Sequence, residues 1–198
     1  HNVENSFTIF FIPQPDAPVI EPITDQDVLE AIELIVDVSA SDPDGDELTL
    51  SVDISDNINV TINGLQIILQ GQNNISGEFE VIVTVTDGTL SDQESFILNV
   101  INVNDPPTTY SQSLVLDEDN SSVIILEADD PDLDPLEFFI GTYPEFGSIS
   151  LSSGIATYSP TNNFNGEDSF TFYAFDGEES SNISTILLEV LPINDGPI

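Results

Sequence analysis

The sequence predicts an all-β chain made of two tandem β-sandwiches, and three observations carry that prediction. Landmark residues recur at intervals of 88 to 90 positions, and apolar residues alternate with polar ones at a period of two. No segment sustains the 3.6-residue period of an amphipathic helix. The stretch Asn104-Asp105-Pro106-Pro107 recurs as Asn194-Asp195-Gly196-Pro197, and Pro15-Asp16-Ala17-Pro18 is a variant of it. Asp42-Pro43-Asp44 returns as Asp130-Pro131-Asp132, Gly77-Glu78 as Gly166-Glu167, and Asp87-Gly88 as Asp176-Gly177. These landmarks set a first repeat at residues 18–106 and a second at 107–198, with residues 1–17 as the last strand and linker of a preceding copy.

Taken in order, residues 4–12 are Phe-rich and keep the same register, Phe7 matching Phe96, which makes them that preceding copy's final strand. In the first repeat Ile32, Leu34, Val36, Val38 and Ala40 are expected to face inward, alternating with Glu33, Ile35, Asp37 and Ser39. Leu48, Leu50, Val52 and Ile54 form the next inward set. Asn63-Gly64 between apolar runs is a strong short-range hairpin signal. Phe79, Val81, Val83 and Val85, then Phe96, Leu98 and Val100, supply the last two strands. The second repeat echoes the plan with Ile124, Leu126 and Ala128, then Leu136, Phe138 and Ile140, then Phe170, Phe172 and Ala174, then Ile186, Leu188 and Val190. About seven short strands in about ninety residues is what an immunoglobulin-like Greek-key sandwich requires. Phe164 reads as a core plug, and Tyr158 as a structural tyrosine bonded to backbone.

Composition narrows the function. The 198 residues hold 37 Asp plus Glu, no Lys and no Arg, for a formal charge of −37. Nucleic acid and anionic membrane surfaces are excluded as partners, because cationic side chains bind both. With no Cys and a single His at position 1, thiol nucleophiles, zinc–thiolate sites and an ordinary Ser-His-Asp triad drop out. The same absence of Lys removes Schiff-base chemistry and P-loop phosphate binding. Catalysis is left with paired carboxylates or an oxygen-bound metal, and the expectation is a protein that is not an enzyme. Apolar residues make up 39% of the chain, enough for a core in a chain whose charge would otherwise favour disorder. No apolar run reaches the ~18 residues of a membrane span, and any export signal is expected outside this sequence.

Several of these residues carry a family resemblance. The first repeat, from Asp25-Gln26-Asp27-Val28 through Ala40-Ser41-Asp42-Pro43-Asp44-Gly45-Asp46 to Asp87-Gly88 and Asn104-Asp105-Pro106-Pro107, resembles a dystroglycan-type cadherin-like domain. The second, with Asp117-Glu118-Asp119, Tyr158-Ser159-Pro160 and Phe164-Asn165-Gly166-Glu167-Asp168-Ser169-Phe170, resembles the tandem cadherin-like repeats of very large bacterial adhesins. The resemblance implies sandwiches stacked end to end, Ca2+ at their junctions, and a spacer or adhesive role at the cell surface. It assigns Glu30, Asn104, Asp105, Asp130, Asp132 and Asp176 to a central calcium site, and Asp16, Asp42, Asp44 and Asp87 to an N-terminal one. Glu118, Asn194 and Asp195 would serve a third repeat. Pro15 in place of the linker Asn weakens the N-terminal site, and a Leu where the first repeat has Gly45 leads us to expect a differently turned loop at Asp130–Asp134.

Physical chemistry points to the same ion. Where carboxylates converge without Lys or Arg, they must take up protons, stay solvated or bind a hard cation through oxygen. The leading expectation is a calcium-rigidified structural or adhesive module of an extracellular surface adhesin or filament. Its partners would be neighbouring repeats of the same chain or of identical subunits, with residues 4–12 able to donate a strand into a fibre. The alternative is a carbohydrate- or surface-binding accessory module with a glycan ligand. A two-carboxylate glycosidase is a third class, for which 37 acids give no specific signal.

Overall fold

The computed structural model describes residues 14–194, and no helix occurs among them. The chain separates into two compact units that divide between Val103 and Asn104. Residues 4–12 and Asp195 lie outside the described residues.

The first unit contains β1 (Val19–Ile20), β2 (Gln26–Leu29), β3 (Glu33–Asp37), β4 (Ala40–Ser41), β5 (Thr49–Asp53), β6 (Ile58–Asn63), β7 (Gln66–Gly71), β8 (Gly77–Thr86) and β9 (Ser91–Ile101). One sheet runs β2-β9-β8-β5 and the other β3-β7-β6, while β1 pairs with β4. The chain therefore changes sheets between β1 and β2, across Pro22, which has no N–H to continue a ladder. That switch makes β2 parallel to β9 in an otherwise antiparallel unit. The second unit repeats the plan with β10 (Thr108–Thr109), β11 (Gln112–Asp117), β12 (Ser122–Ile125), β13 (Ala128–Asp129), β14 (Glu137–Thr142), β15 (Gly147–Ser152), β16 (Ile155–Pro160), β17 (Gly166–Phe175) and β18 (Ser184–Leu191). Its sheets are β11-β18-β17-β14 and β12-β16-β15, with β10 on β13 and β11 parallel to β18.

Strand pleat explains the burial. Successive side chains point to opposite faces, so Val81, Val83 and Val85 of β8 and Phe96, Leu98 and Val100 of β9 meet Ile67 and Leu69 of β7 in a closed core. Phe170, Phe172, Ile186, Leu188 and Val190 do the same in the second unit. Each such side chain contributes roughly 1.5–3 kcal/mol on burial. Ile32, expected inward, is 55% exposed. Ala31 turns the chain at φ 56°, so β3 begins only at Glu33 and Ile32 falls before the pleat. The Asn-Gly hairpin forms, with Asn63 pairing Gln66 across Gly64 and Leu65, and only Gly64 takes positive φ (62°).

The short first strand of each unit is tied down by one side chain. Asp92 Oδ2 accepts the Ile20 N–H at 3.0 Å, and Asn182 Oδ1 accepts the Thr109 N–H at 3.0 Å. Asn182 also donates to Thr109 O at 3.1 Å, so it is consumed structurally.

Tyr158 departs from expectation. Its ring is fully buried, but its hydroxyl donates to the Asp168 carboxylate at 2.9 Å rather than to backbone. Phe164 plugs the core edge as expected, stacked on Phe146 with ring centroids 4.6 Å apart.

Candidate metal centres

In the second unit the site begins at the loop leaving β13. Asp130 is buried, and its Oδ1 accepts the N–H groups of Asp132 (2.9 Å) and Asp134 (3.0 Å). The Leu133 N–H returns to Asp130 O at 3.2 Å, closing a tight turn. Asp132 Oδ2 accepts the Asp105 N–H at 2.7 Å, which fixes the linker against the loop. Next to Asp105, Asn104 donates its side-chain N–H to Asp176 Oδ2 at 3.0 Å. The N–H groups of Glu179 and Glu178 hold the Asp176 carboxyl below its ordinary range, with help from Asn104. Its contribution to stability is therefore present above the unfolded value near ~3.9 and lost as pH falls through the lowered folded value.

Asp130, Asp132 and Asp134 each offer an oxygen within 4.8 Å of the others. At that separation two like charges repel by about 1 kcal/mol in bulk water and by roughly 3–4 kcal/mol at an effective dielectric of 20. Asp130 Oδ2 is buried with no hydrogen-bond donor. An acceptor desolvated in that way is costly unless a cation meets it, so the residues fit a hard divalent ion.

The first unit builds the same loop. Asp42 Oδ1 accepts from Asp44 N (2.8 Å) and Asp46 N (3.1 Å), and Asp44 Oδ2 accepts the Asp16 N–H at 2.8 Å. Asp42, Asp44 and Asp46 form the matching oxygen cluster. Asp87 Oδ1 accepts the Leu90 N–H at 2.7 Å. With Pro15 where the second unit has Asn104, Asp87 Oδ2 lacks the amide donor that Asp176 enjoys, and it is buried without a partner, as is Asp42 Oδ2.

The expected difference between the loops does not occur. Leu133 adopts φ 63° and Gly45 φ 81°, and the two loops share one hydrogen-bond pattern. The side-chain turn from the first Asp enforces the conformation whatever residue follows, and Leu133, 88% exposed, bears the left-handed strain. That conformation costs a non-glycine residue about 1–2 kcal/mol. Leu133→Gly is expected to stabilise the second unit by about 0.5–1 kcal/mol after the added freedom of its unfolded chain, read as a rise in its melting temperature; an unchanged or lower value contradicts the strain.

Glu30 and Glu118 occupy equivalent places at the ends of β2 and β11. Each is buried, and each accepts a late N–H through Oε1: Val103 to Glu30 and Ile193 to Glu118, both at 2.8 Å. Glu30 Oε2 is buried and unpartnered, whereas Glu118 Oε2 takes the Asn165 side-chain N–H at 3.3 Å. Asp176 follows the end of β17, and Glu118 bonds beside the far end of β18, so they sit at opposite ends of the second unit. Asn194 is exposed. Sequence reasoning missed Asp46 and Asp134 as cluster members, although acids at every second position, Asp-x-Asp-x-Asp, were the available signal.

Two sandwiches in tandem, each carrying an acidic turn next to its entering linker, define a tandem Ig-like module of cadherin-like architecture. The chain belongs to the bacterial Ig domain family, which matches residues 15–98 and again 104–189. It is 32% identical over 169 residues to extracellular matrix protein 3 of Lytechinus variegatus, an alignment covering 68% of this chain and 5% of that protein. It is 28% identical over 167 residues to integrin beta-like protein C of Dictyostelium discoideum, covering 75% of this chain and 8% of the relative. The chain thus spans a small fraction of these relatives. Among solved structures, human protocadherin-24 EC1-2 superposes with a TM-score of 0.59 at 17% identity, over 88% of this chain and 98% of that one. Human mucin-like protocadherin EC1-2 gives 0.58 at 18%, over 89% and 98%. At such identities the likeness shows the fold.

Proposed function

We propose that this chain is a calcium-rigidified structural and adhesive segment of an extracellular surface protein. The observation that carries the reading is the state of Asp130. One oxygen is spent on two backbone donors, the other is buried without any, and the chain contains no Lys or Arg to compensate it. Asp105, Asp130, Asp132, Asp134 and Asp176 would hold an ion in the second repeat, and Asp16, Asp42, Asp44, Asp46 and Asp87 in the first. Glu30, Asn104, Glu118 and Asn194 stay candidates through the shared motif. Calcium suits such a set because it takes 6–8 oxygen ligands in flexible geometry, whereas magnesium demands a tight octahedron and sheds water reluctantly. When bound, the ion supplies charge compensation and cross-links the linker to its loop. No chemical step is asked of it, and the role is structural rather than catalytic.

Extracellular calcium modules bind with Kd of ~10⁻⁴–10⁻³ M, so such sites fill outside a cell and empty in a cytoplasm. The name of the Lytechinus variegatus relative, an extracellular matrix protein, supports that location. Neighbouring repeats are the proposed partners. Calorimetric titration with calcium tests the reading: binding should occur at constant ionic strength, and Asp130→Asn should abolish the second repeat's share of it. Heat no greater than that of matched sodium chloride would overturn it.

A further inference from the structure

The two units share one fold, which makes each a control for the other, and they differ on the outer face of the four-stranded sheet. In the first unit that face mixes Leu29, Ile97 and Ile101 with polar residues that bond one another. Asn99 donates to Asp27 at 2.9 Å, Ser51 pairs with Thr84, and Gln93 donates to Thr84 at 2.8 Å. In the second unit the equivalent strand partners are Val115 with Glu189 and Phe139 with Tyr173, the two rings stacked at 5.3 Å. Val115 and Leu187 are more than half exposed. The polar residues Asp27, Ser51 and Thr84 have given way to Val115, Phe139 and Tyr173, and among the described residues none buries Val115 or Leu187.

The charges on the same face are also unusual. Glu167 lies directly opposite Glu189, where the first unit pairs Glu78 with Asn99. Like charges directly across a strand pair are destabilising. The two glutamates line a hollow of about 280 Å³ together with Val115 and Leu187, and a second hollow of about 360 Å³ adjoins it through Glu167 and Leu187. A cation placed between the glutamates would relieve their repulsion, and an aliphatic side chain beside it would cover Val115 and Leu187.

We propose that this face of the second repeat docks an extended segment of a partner protein in which aliphatic residues alternate with Lys or Arg. Charge complementarity selects the occupant. A second copy of this chain would bring further glutamates against Glu167 and Glu189 and has no Lys or Arg to offer. A neutral sugar would leave the facing charges of Glu167 and Glu189 uncompensated. The contact uses none of the residues of the proposed metal sites, so this inference stands apart from them.

The test uses the full 198-residue chain in calcium and short peptides alternating Val with Lys, Ser with Lys, and Val with Glu. The Val–Lys peptide should bind, shifting the NMR resonances of Val115, Leu187 and Tyr173. Leu187→Ser, and Glu167→Gln combined with Glu189→Gln, should each weaken it about tenfold, equivalent to about 1.4 kcal/mol. Glu78→Gln on the first repeat's face should leave it unchanged. Equal binding of the Ser–Lys peptide would reduce the effect to attraction by net charge and overturn the proposal. So would shifts spread over both repeats, or glycan-array binding of a neutral oligosaccharide that is lost in Tyr173→Ala.

Discussion

A chelator at fixed ionic strength is expected to lower the melting temperature of both repeats. At calcium near ~100 Kd each independent site adds about 2.7 kcal/mol to the folded state, against a total of about 5–15 kcal/mol for a domain. At about 4–8 °C per kcal/mol for a domain of this size, each lost ion is worth on the order of 10–20 °C. Asp105→Ala is the cleanest variant. The Asp105 backbone N–H still reaches Asp132 after the substitution, so the calcium-free melting temperature should hold while the calcium increment falls. Asp132→Ala removes that acceptor as well and should lower both. Glu33→Ala, exposed on β3 and a member of neither oxygen cluster, should change neither. Magnesium should substitute poorly. Sodium chloride at matched ionic strength is the necessary comparison, since general screening of 37 carboxyl groups also stabilises. If it reproduces the whole calcium effect, the acidic loops are only a solvated surface.

Removing Asp168 is expected to unfold the second repeat while sparing the first. Its carboxylate accepts four donors: Glu145 N at 3.0 Å, Phe146 N at 2.9 Å, Ser169 N at 2.8 Å and the Tyr158 hydroxyl at 2.9 Å. Leaving a buried donor unsatisfied costs about 1–3 kcal/mol, so Asp168→Ala should cost on the order of 4 kcal/mol or more. Tyr158→Phe loses one bond to a charged group, about 1.5–3 kcal/mol. Gly147→Ala should also be severe, because a Cβ there would collide with the Tyr158 ring and stand 2.7 Å from Ser159 O. The first repeat has Leu69 and Phe79 at the places of Tyr158 and Asp168, so its transition should stay put in the same calorimetric scan. Alkali provides a second reading. Burial, then the Asp168 hydrogen bond and charge, push the Tyr158 hydroxyl well above its ordinary value. Its contribution is fully present below about pH 10, the unfolded value, and is lost as pH rises toward the folded one. The second repeat should lose stability progressively as pH rises above about 10, and Tyr158→Phe should remove that part of the pH dependence. Coincident loss of both repeats in Asp168→Ala would contradict this account.

Fold class, repeat number and most of the core were legible from residue order alone, for a physical reason. A strand buried on one face writes its environment into a period of two, and Val81, Val83 and Val85 or Phe170, Phe172 and Ala174 are unambiguous in it. The acidic loops were legible because their clustered carboxylates are close in sequence and recur in both copies. Ile32 was misplaced because alternation says nothing of where a turn ends and a pleat begins.

Other features depend on contacts between distant residues, which no local pattern records. The partner of Tyr158 is a carboxylate ten positions away on the other sheet, brought to the hydroxyl only when the two sheets close. Leu133 takes the conformation of Gly45 because Asp130 holds the loop by its side chain, so tertiary and turn hydrogen bonding overrides the residue's own preference. The free oxygens of Glu30, Asp42, Asp87 and Asp130 are likewise invisible in sequence. Sequence determined that carboxylates would gather without cations; only the folded backbone, by burying some oxygens and giving donors to others, decided which of them are left without a partner.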